Sequence, residues 1–303
     1  VLDHCSFSWA ANKNLMTWYD EVTDLTVSHS IVSESLLNPA TGNRMGFLIG
    51  DHAHRVSVIG NLFAHNSQRN PAPYGDTSSV IVNNVVYNPG PGTIHFQDDN
   101  GSGPLFTAAV GNVIIPGQDT PDWLCRLDVC RPIRVVNTTA PGTRIYLADN
   151  DAPGRTPDPW GLVELQVSFN VKAEQPPIWV EGLTVRPSHA TVEWVLTHAG
   201  ARPWDRDAVD ARIVSEVRNG TGRQIATLAD VGGMPAVPVV RRALALPSNP
   251  HGDDDLDGYT NVEEWLFSFE HPPSAPAPFR IFLPIGSREQ VIQSAPPTIG
   301  DTG

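Results

Sequence analysis

The chain has 303 residues, 40% of them hydrophobic and 17% charged, with a formal net charge of −13; that is enough apolar material for a full-sized core in one or two domains. The negative balance speaks against nucleic acid as a partner, because phosphate would be repelled. It also disfavours a polyanionic ligand unless divalent cations bridge or a basic cleft reverses the sign locally. With 25 Gly and 28 Pro, turns outweigh helices, and no run approaches the roughly 20 apolar residues of a membrane span.

From the first residue the chain repeats itself. Leu2-Asp3-His4-Cys5-Ser6-Phe7, Val27-Ser28-His29-Ser30-Ile31-Val32, Val58-Ile59-Gly60-Asn61-Leu62-Phe63, Ile81-Val82-Asn83-Asn84-Val85-Val86 and Ala109-Val110-Gly111-Asn112-Val113-Ile114 superpose, and their fourth positions are separated by 25, 31, 23 and 28 residues. Each unit runs apolar, bends at a small or amide residue, and resumes apolar, the pattern of a short strand entering a turn. Units of this size cannot bury their apolar face alone and therefore stack. Asn at equivalent bends, about 4.8 Å apart in a stack, can bond its neighbour in an amide ladder. The predicted fold class is all-β, a right-handed parallel β-helix; a β-sandwich with similarly spaced strands is the alternative.

Asp3-His4-Cys5-Ser6-Phe7-Ser8-Trp9, the coil from Val58 to Asn66, Arg69-Asn70-Pro71 and Asn83-Asn84-Val85-Val86-Tyr87-Asn88, in this order and spacing, resemble the second half of a pectate lyase of superfamily 1, polysaccharide lyase family 1. The resemblance covers residues 1 to about 115 and resumes at Gly200–Val214. It implies β-elimination on pectic polysaccharide in a secreted enzyme, with Arg69 as the catalytic base and Arg44 near the position of a substrate-binding Lys. Because the chain opens inside a coil, the natural protein is expected to start upstream with further coils and an export signal. An Arg is a poor base by its ordinary proton affinity, so catalysis requires a cationic or desolvated setting.

Arg44, in Gly42-Asn43-Arg44-Met45-Gly46, offers a fork for a carboxylate, although a solvated loop Arg fits as well. Arg55 is a further candidate for the same groove. Relatives carry acidic residues, one of them a calcium ligand, where this chain has Asn12-Lys13. An ammonium cannot replace an oxygen among the 6 to 8 that calcium collects. Either the catalytic calcium site is degenerate, or Lys13 supplies the charge, as in calcium-independent pectin lyase-like enzymes. Lys13, Arg44 and Arg69 would line a groove about 10 Å long. A non-catalytic polysaccharide-binding β-helix is the competing reading. A hydrolase would need inward-facing acids roughly 6.5 to 9.5 Å apart, and the repeats offer none. The expected partner is pectic polysaccharide, and the expected state a monomer.

Several features have structural readings. His4, His29, His52, His54 and His65 are expected to stack in the coils, because no ligand spacing supports a metal. Asp98-Asp99 reads as a solvated turn. Cys125 and Cys130 are spaced for a short-loop disulfide, and Cys5 for an inert thiol at a bend. Residues 116–190 read as long loops over the last coils, where Trp123 and Trp160 either stack on sugar rings or pack in loops. Val209, Ile213 and Val217 predict an amphipathic helix, stopped at Asn219-Gly220, that caps the end of the stack.

The run Asp253-Asp254-Asp255-Leu256-Asp257-Gly258-Tyr259-Thr260-Asn261-Val262-Glu263-Glu264 fits a calcium loop. Its ligands would be Asp253, Asp255, Asp257, the Tyr259 carbonyl, Asn261 and Glu264, and this calcium would be structural. The expected organisation is a β-helix with long loops at 1–190, a helical cap at 191–250, the calcium loop with its helix at 251–268, and a Pro-rich tail at 269–303.

Overall fold

The computed structural model describes residues 1–18, 22–126, 129–236 and 245–268; the Pro-rich tail at 269–303 lies outside them. The described chain is mostly parallel β-sheet with three α-helices, an all-β, parallel β-helix-like architecture. One sheet takes its strands from successive repeats in sequence order: Leu2–Asp3, Thr26–Ser28, Val56–Ile59, Ser78–Val82, Phe106–Val110 and Arg144–Ala148. A second follows it after each bend: Ser6–Ser8, Ile31–Ser33, Leu62–Ala64, Val85–Tyr87 and Val113–Ile115. A third face joins Asn12–Thr17, Arg44–Ile49 and Ala72–Pro73 to Ile94–Phe96, Ile133–Val135 and Val163–Leu165. The junction is made by His95 N donating to Pro71 O at 3.4 Å and Gln97 N to Pro73 O at 3.3 Å.

The register confirms the repeat residue by residue. Leu2, Val27, Val58, Ile81, Ala109 and Leu147 stand opposite one another through five parallel pairings, and Phe7, Val32, Phe63, Val86 and Ile114 do the same in the second sheet. These ladders form one buried core with Phe47, Ile49, Ile94 and Phe96 from the third face. Alternate residues point outward and are covered in their turn: Ile59, Val80, Val82 and Val110 lie under Leu183 and Val185. Strands buried on both sides lose the polar alternation of a half-exposed sheet.

At each bend one residue takes a left-handed conformation: His4, His29, Gly60, Asn83, Gly111 and Asp149. Gly111 is required there, because its φ is +67° and a Cβ would lie 2.5 Å from Asn83 Nδ2. The next residue builds the predicted ladder. Ser30 N donates to Asn61 Oδ1 at 2.9 Å, Asn61 N to Asn84 Oδ1 at 2.9 Å and Asn84 N to Asn112 Oδ1 at 3.0 Å. Asn112 N reaches Asn150 Oδ1 at 3.1 Å, one coil further than the sequence repeat was traced.

The predicted helix is present, but it does not cap an end of the stack. The helices α1 (Ser188–His198) and α2 (Ala208–Asn219) cover the outer face of the second sheet, burying Ile31, Leu62, Val85 and Tyr87 against Val195, Ile213 and Val217. Asp207 caps α2 at Val209 N and Asp210 N, and Gly220 ends it at φ 66°. A helix advances 1.5 Å per residue, so one coil of about 4.8 Å corresponds to about three residues of a helix lying along the stack. Asp210 accepts from Ser6 Oγ at 2.5 Å on the first coil, and Arg212 pairs with Glu34 at 2.7 Å on the second. Glu216 lies 3.2 Å from His65 on the third, and just past the helix the Thr221 carbonyl accepts from the Tyr87 hydroxyl at 2.7 Å on the fourth. The helix is a strap along the flank.

Cys125 and Cys130 form a disulfide across an antiparallel hairpin. Cys5 is free and only half-buried, and burial followed by the charge of Asp3 raises its thiol, which keeps it protonated and inert. The helix α3 (Asn261–Phe267) follows the acidic loop and starts with a capping box between Thr260 and Glu263.

Candidate active site

Arg69 enters the third face on the coil that holds Ala72–Pro73. Its backbone sits at φ 60°, a conformation that costs about 1 kcal/mol or more outside glycine and persists only where its surroundings enforce it. Gly46 helps to enforce it: a Cβ there would fall 2.5 Å from Asn70 Oδ1 and 2.8 Å from Arg69 O. The Arg69 guanidinium lies over the Tyr74 ring, 4.9 Å from its centroid, and Nη2 donates to the Tyr74 hydroxyl. That hydroxyl donates to Asp99 Oδ2 at 3.3 Å, and Gln97 Nε2 donates to both, reaching Asp99 Oδ2 at 2.5 Å. Asp99 Oδ1 accepts from Thr138 Oγ1 at 3.0 Å.

Burial pushes the guanidinium of Arg69 below its ordinary range, against the upward pull of Tyr74 and Asp99. Burial also holds the Tyr74 phenol well above its ordinary range, so it remains a neutral donor. Arg69 Nε is buried without a hydrogen-bond partner among the described residues, as are Asn70 Oδ1, Thr93 Oγ1 and His95 Nδ1. His95 is 4% exposed and pushed down to about 3 by burial, with the charges of Arg69 and Arg134 adding to it.

The four cations proposed from sequence do not all meet. Lys13 and Arg69 are neighbours in charge: burial first, then Arg69, lower the Lys13 ammonium. Asn12 stands opposite Arg44 in the sheet, and its Oδ1 is buried without a hydrogen-bond partner among the described residues. Arg44 opens its strand at the edge nearest Asp230, whose carboxyl feels its charge. Arg55 is committed elsewhere. It forms an exposed two-bond pair with Asp24, 2.6 Å at both contacts, in the turn before Val56–Ile59, so it contributes no free cation to this site.

The sequence reading of Asp98-Asp99 as a solvated turn holds for Asp99, which is exposed in a turn, and is corrected for Asp98. Asp98 is 6% exposed and binds Ser102 N at 2.7 Å and Gly103 N at 3.0 Å, while Asp99 belongs to the Arg69 cluster. Tyr74 and Gln97 were not singled out. The repeat itself carried the signal, since Tyr74 and Asp99 are 25 residues apart and Tyr74 and Gln97 are 23 apart, both typical coil steps.

Among the described residues, His, Cys, Asp and Glu side chains gather in threes at Asp3, His4 and His29 and at Asp253, Asp255 and Asp257. In the first group the His4 and His29 rings stack at 4.9 Å, 18° from parallel. Both Nδ1 atoms contact Asp3, at 2.7 and 2.9 Å, and Ser28 Oγ donates to it at 2.5 Å. In this arrangement one carboxylate holds two stacked imidazoles.

In the second group three carboxylates come together around a turn with Leu256 at φ 62° and Gly258 at φ 96°. Asp257 N and Gly258 N donate to Asp253 at 3.1 and 3.0 Å, and this oxygen set fits a calcium ion. Asn261 is turned away from it: its Oδ1 accepts from Asp254 N and its Nδ2 donates to Asn249 O. The Tyr259 ring packs edge-on against Phe267, and Glu264, on α3, is outside the converging three.

Among the described residues no such group of acidic oxygens gathers at Lys13. The site presents a half-buried cation pair, a lowered guanidinium and a chain of donors at one edge of a sheet face. Such an arrangement can bind a carboxylate and exchange a proton beside it. Neither a protein-family model nor a curated protein matches this chain. No helix among the described residues is long and apolar enough to cross a membrane.

Proposed function

We propose that the chain is a right-handed parallel β-helix of the pectate lyase kind, a secreted carbon–oxygen lyase that cleaves polygalacturonate by β-elimination. The observation that carries this reading is the setting of Arg69. It is a mostly buried guanidinium, pushed down by burial and placed beside Lys13 on an outward sheet face.

In its neutral form Arg69 takes the proton at C5 of the uronate. The electron pair forms the C4–C5 double bond, the bond from C4 to the glycosidic oxygen breaks, and that oxygen takes a proton from the guanidinium or from water. Lys13 holds the uronate carboxylate and stabilises the negative charge that develops beside it. No step requires calcium at this site, which favours the calcium-independent, pectin lyase-like form of the chemistry. The calcium of the Asp253–Asp257 loop is structural. The Cys125–Cys130 disulfide supports export to an oxidising compartment.

A second reading, a pectin-binding β-helix without turnover, is favoured by one observation: Tyr74 and Asp99 both favour the protonated form of Arg69. The two readings separate in one assay, the ultraviolet absorbance of unsaturated uronide from polygalacturonate and from methylated pectin, with calcium and with chelator. The lyase reading expects a chelator-resistant rise that Arg69→Ala abolishes. A flat trace from folded, pectin-binding protein would refute catalysis and leave the binding reading.

A further inference from the structure

The third face continues beyond Arg69. His95, on the next coil, stands opposite Arg134, which in turn stands opposite Glu164. Two coil steps, about 10 Å, therefore separate the coil of Arg69 from that of Arg134. Above Arg134 lies Trp123, whose ring packs on the guanidinium at 5.6 Å and which is 59% exposed. A Trp packed into a loop would be buried, as Leu124 beside it is at 1% exposure. On either side of the hairpin tip the backbone is tied: Leu124 N and Cys125 N both donate to Pro121 O, Arg131 N donates to Leu124 O, and a disulfide joins Cys125 to Cys130. Trp160, the other candidate, is half-buried against the core with Lys172 over its ring, so it is the loop-packing Trp of the two.

We propose that Trp123, Arg134 and Glu164 form a second sugar subsite, two coils from Arg69, for a pyranose that carries no free carboxylate: a methyl-esterified uronate or a neutral sugar. This rests on the polysaccharide reading above. One face of Trp123 is held on Arg134 and the rest of its exposed surface is a platform for a sugar ring. The charge of Arg134 is already answered. Its Nε donates to Glu164 Oε2 at 2.8 Å and its Nη1 to Pro91 O at 3.2 Å, while Gln166 holds Glu164 Oε1 at 2.6 Å. An ion pair that is already neutral gains little from a further carboxylate and places Glu164 where it would repel one. The same groups can hydrogen-bond hydroxyls. The Lys13 and Arg69 end differs, because no carboxylate bonds Lys13 or Arg69 directly among the hydrogen bonds and ion pairs of the described residues. The groove therefore takes a free uronate at one end and an uncharged residue at the other, which suits partly esterified pectin over fully de-esterified chains.

The test is calorimetric affinity for oligogalacturonides with and without methyl esters, measured on the full chain in an Arg69→Ala background so that nothing is cleaved. Trp123→Ala, at an exposed position, is expected to weaken binding of the esterified oligomer about tenfold and to weaken the unesterified one less. Glu164→Gln is expected to strengthen binding of the unesterified oligomer severalfold, by freeing the charge of Arg134. Unchanged affinity of Trp123→Ala for the esterified oligomer would overturn the subsite and leave the lyase reading intact, as would an equal loss on both oligomers. Binding with this pattern in a chain that never yields unsaturated product would support the subsite while refuting catalysis. A wild-type chain, with Arg69 in place, that binds neither oligomer refutes both.

Discussion

His95 gives the site a measurable acid dependence. The imidazole is fully enclosed between Arg69 and Arg134, and burial, with those two charges, pushes it down to about 3; an exposed His titrates near 6.5. Between those values the unfolded chain accepts a proton that the folded chain refuses. Folded stability contributed by neutral His95 is therefore complete above about pH 6.5 and is lost as the pH falls toward 3. Each pH unit in that window costs about 1.4 kcal/mol, so at pH 4.5 the loss is about 2.7 kcal/mol. No discount for solvent screening applies to a group 4% exposed. The assay is urea unfolding of wild type and His95→Gln at steps from pH 7.5 to 4.5, comparing the slopes of stability against pH and ignoring the offset between the proteins. Titration of the other histidines and of Asp3 cancels in that comparison. The wild type is expected to lose about 2 to 3 kcal/mol more than the variant over the interval. Parallel curves would show that His95 takes its proton in the folded state, and the enclosed neutral imidazole would be refuted.

Arg212→Met should be among the most damaging single changes in the strap, because it strands Glu34, whose side chain is 1% exposed, without its partner. Trp9 Nε1 still donates to Glu34 at 2.9 Å, so the expected loss is about 3 kcal/mol by chemical denaturation, with the Glu34→Gln, Arg212→Met pair recovering much of it; additive losses would contradict the pairing. Asp99→Asn removes an exposed carboxylate linked to the Arg69 guanidinium through the Tyr74 hydroxyl, a charge that favours protonated Arg69. The proton affinity of Arg69 falls, so the rising limb of lyase rate against pH should move to lower pH by about one unit, and an unmoved limb counts against Arg69 as the base. Adding calcium to chelator-treated protein should increase amide-exchange protection at residues 253–264 and leave the coils unchanged. Asp255→Asn should abolish that gain, and protection without calcium would exclude the ion.

The periodic part of the molecule was legible because each coil repeats the same requirement. An apolar residue must face the core, a bend residue must take positive φ, and an amide must bond the coil beside it. The sixth rung, Asn150, was hidden by the longer step of 38 from Asn112, an insertion that carries the disulfide hairpin. The strap was misplaced for a different reason. The apolar stripe of Val209, Ile213 and Val217 states that one helix face is buried, but nothing local states against which surface. The side chains that fix it, Glu34 and Ser6, are some two hundred residues away. The site was half legible. Arg69 was found through neighbours in sequence, and its partner Tyr74 is only five residues away, whereas Gln97, Asp99 and Thr138 join the cluster from later coils. Arg55 was misjudged because its partner Asp24 is also one coil back, 31 residues away, the same step that separates Ser30 from Asn61.

The net charge of −13 is the strongest argument against a polyanionic substrate, and it weakens once the charges are placed. Six carboxylates, Asp253, Asp254, Asp255, Asp257, Glu263 and Glu264, fall within twelve residues that contain no Lys or Arg, in the acidic loop and the start of α3. Others are paired: Asp24 with Arg55, Glu34 with Arg212, Asp119 with Arg223 and Glu193 with Arg218. At physiological ionic strength exposed charges act over about 8 Å, so a carboxylate farther than that from the proposed site repels a bound chain only weakly. At the proposed site Lys13 and Arg69 lie close enough that the charge of Arg69, after burial, lowers the ammonium of Lys13. Two cations held together and partly desolvated are each relieved by a bound carboxylate. Burial, and after it the charge of Arg69, lower the proton affinity of Lys13, whereas burial alone lowers that of Arg69. On the proposed reading, affinity for a uronate rests on these two cations, and the availability of a neutral guanidine as a base rests on the burial of Arg69, which Tyr74 and Asp99 oppose.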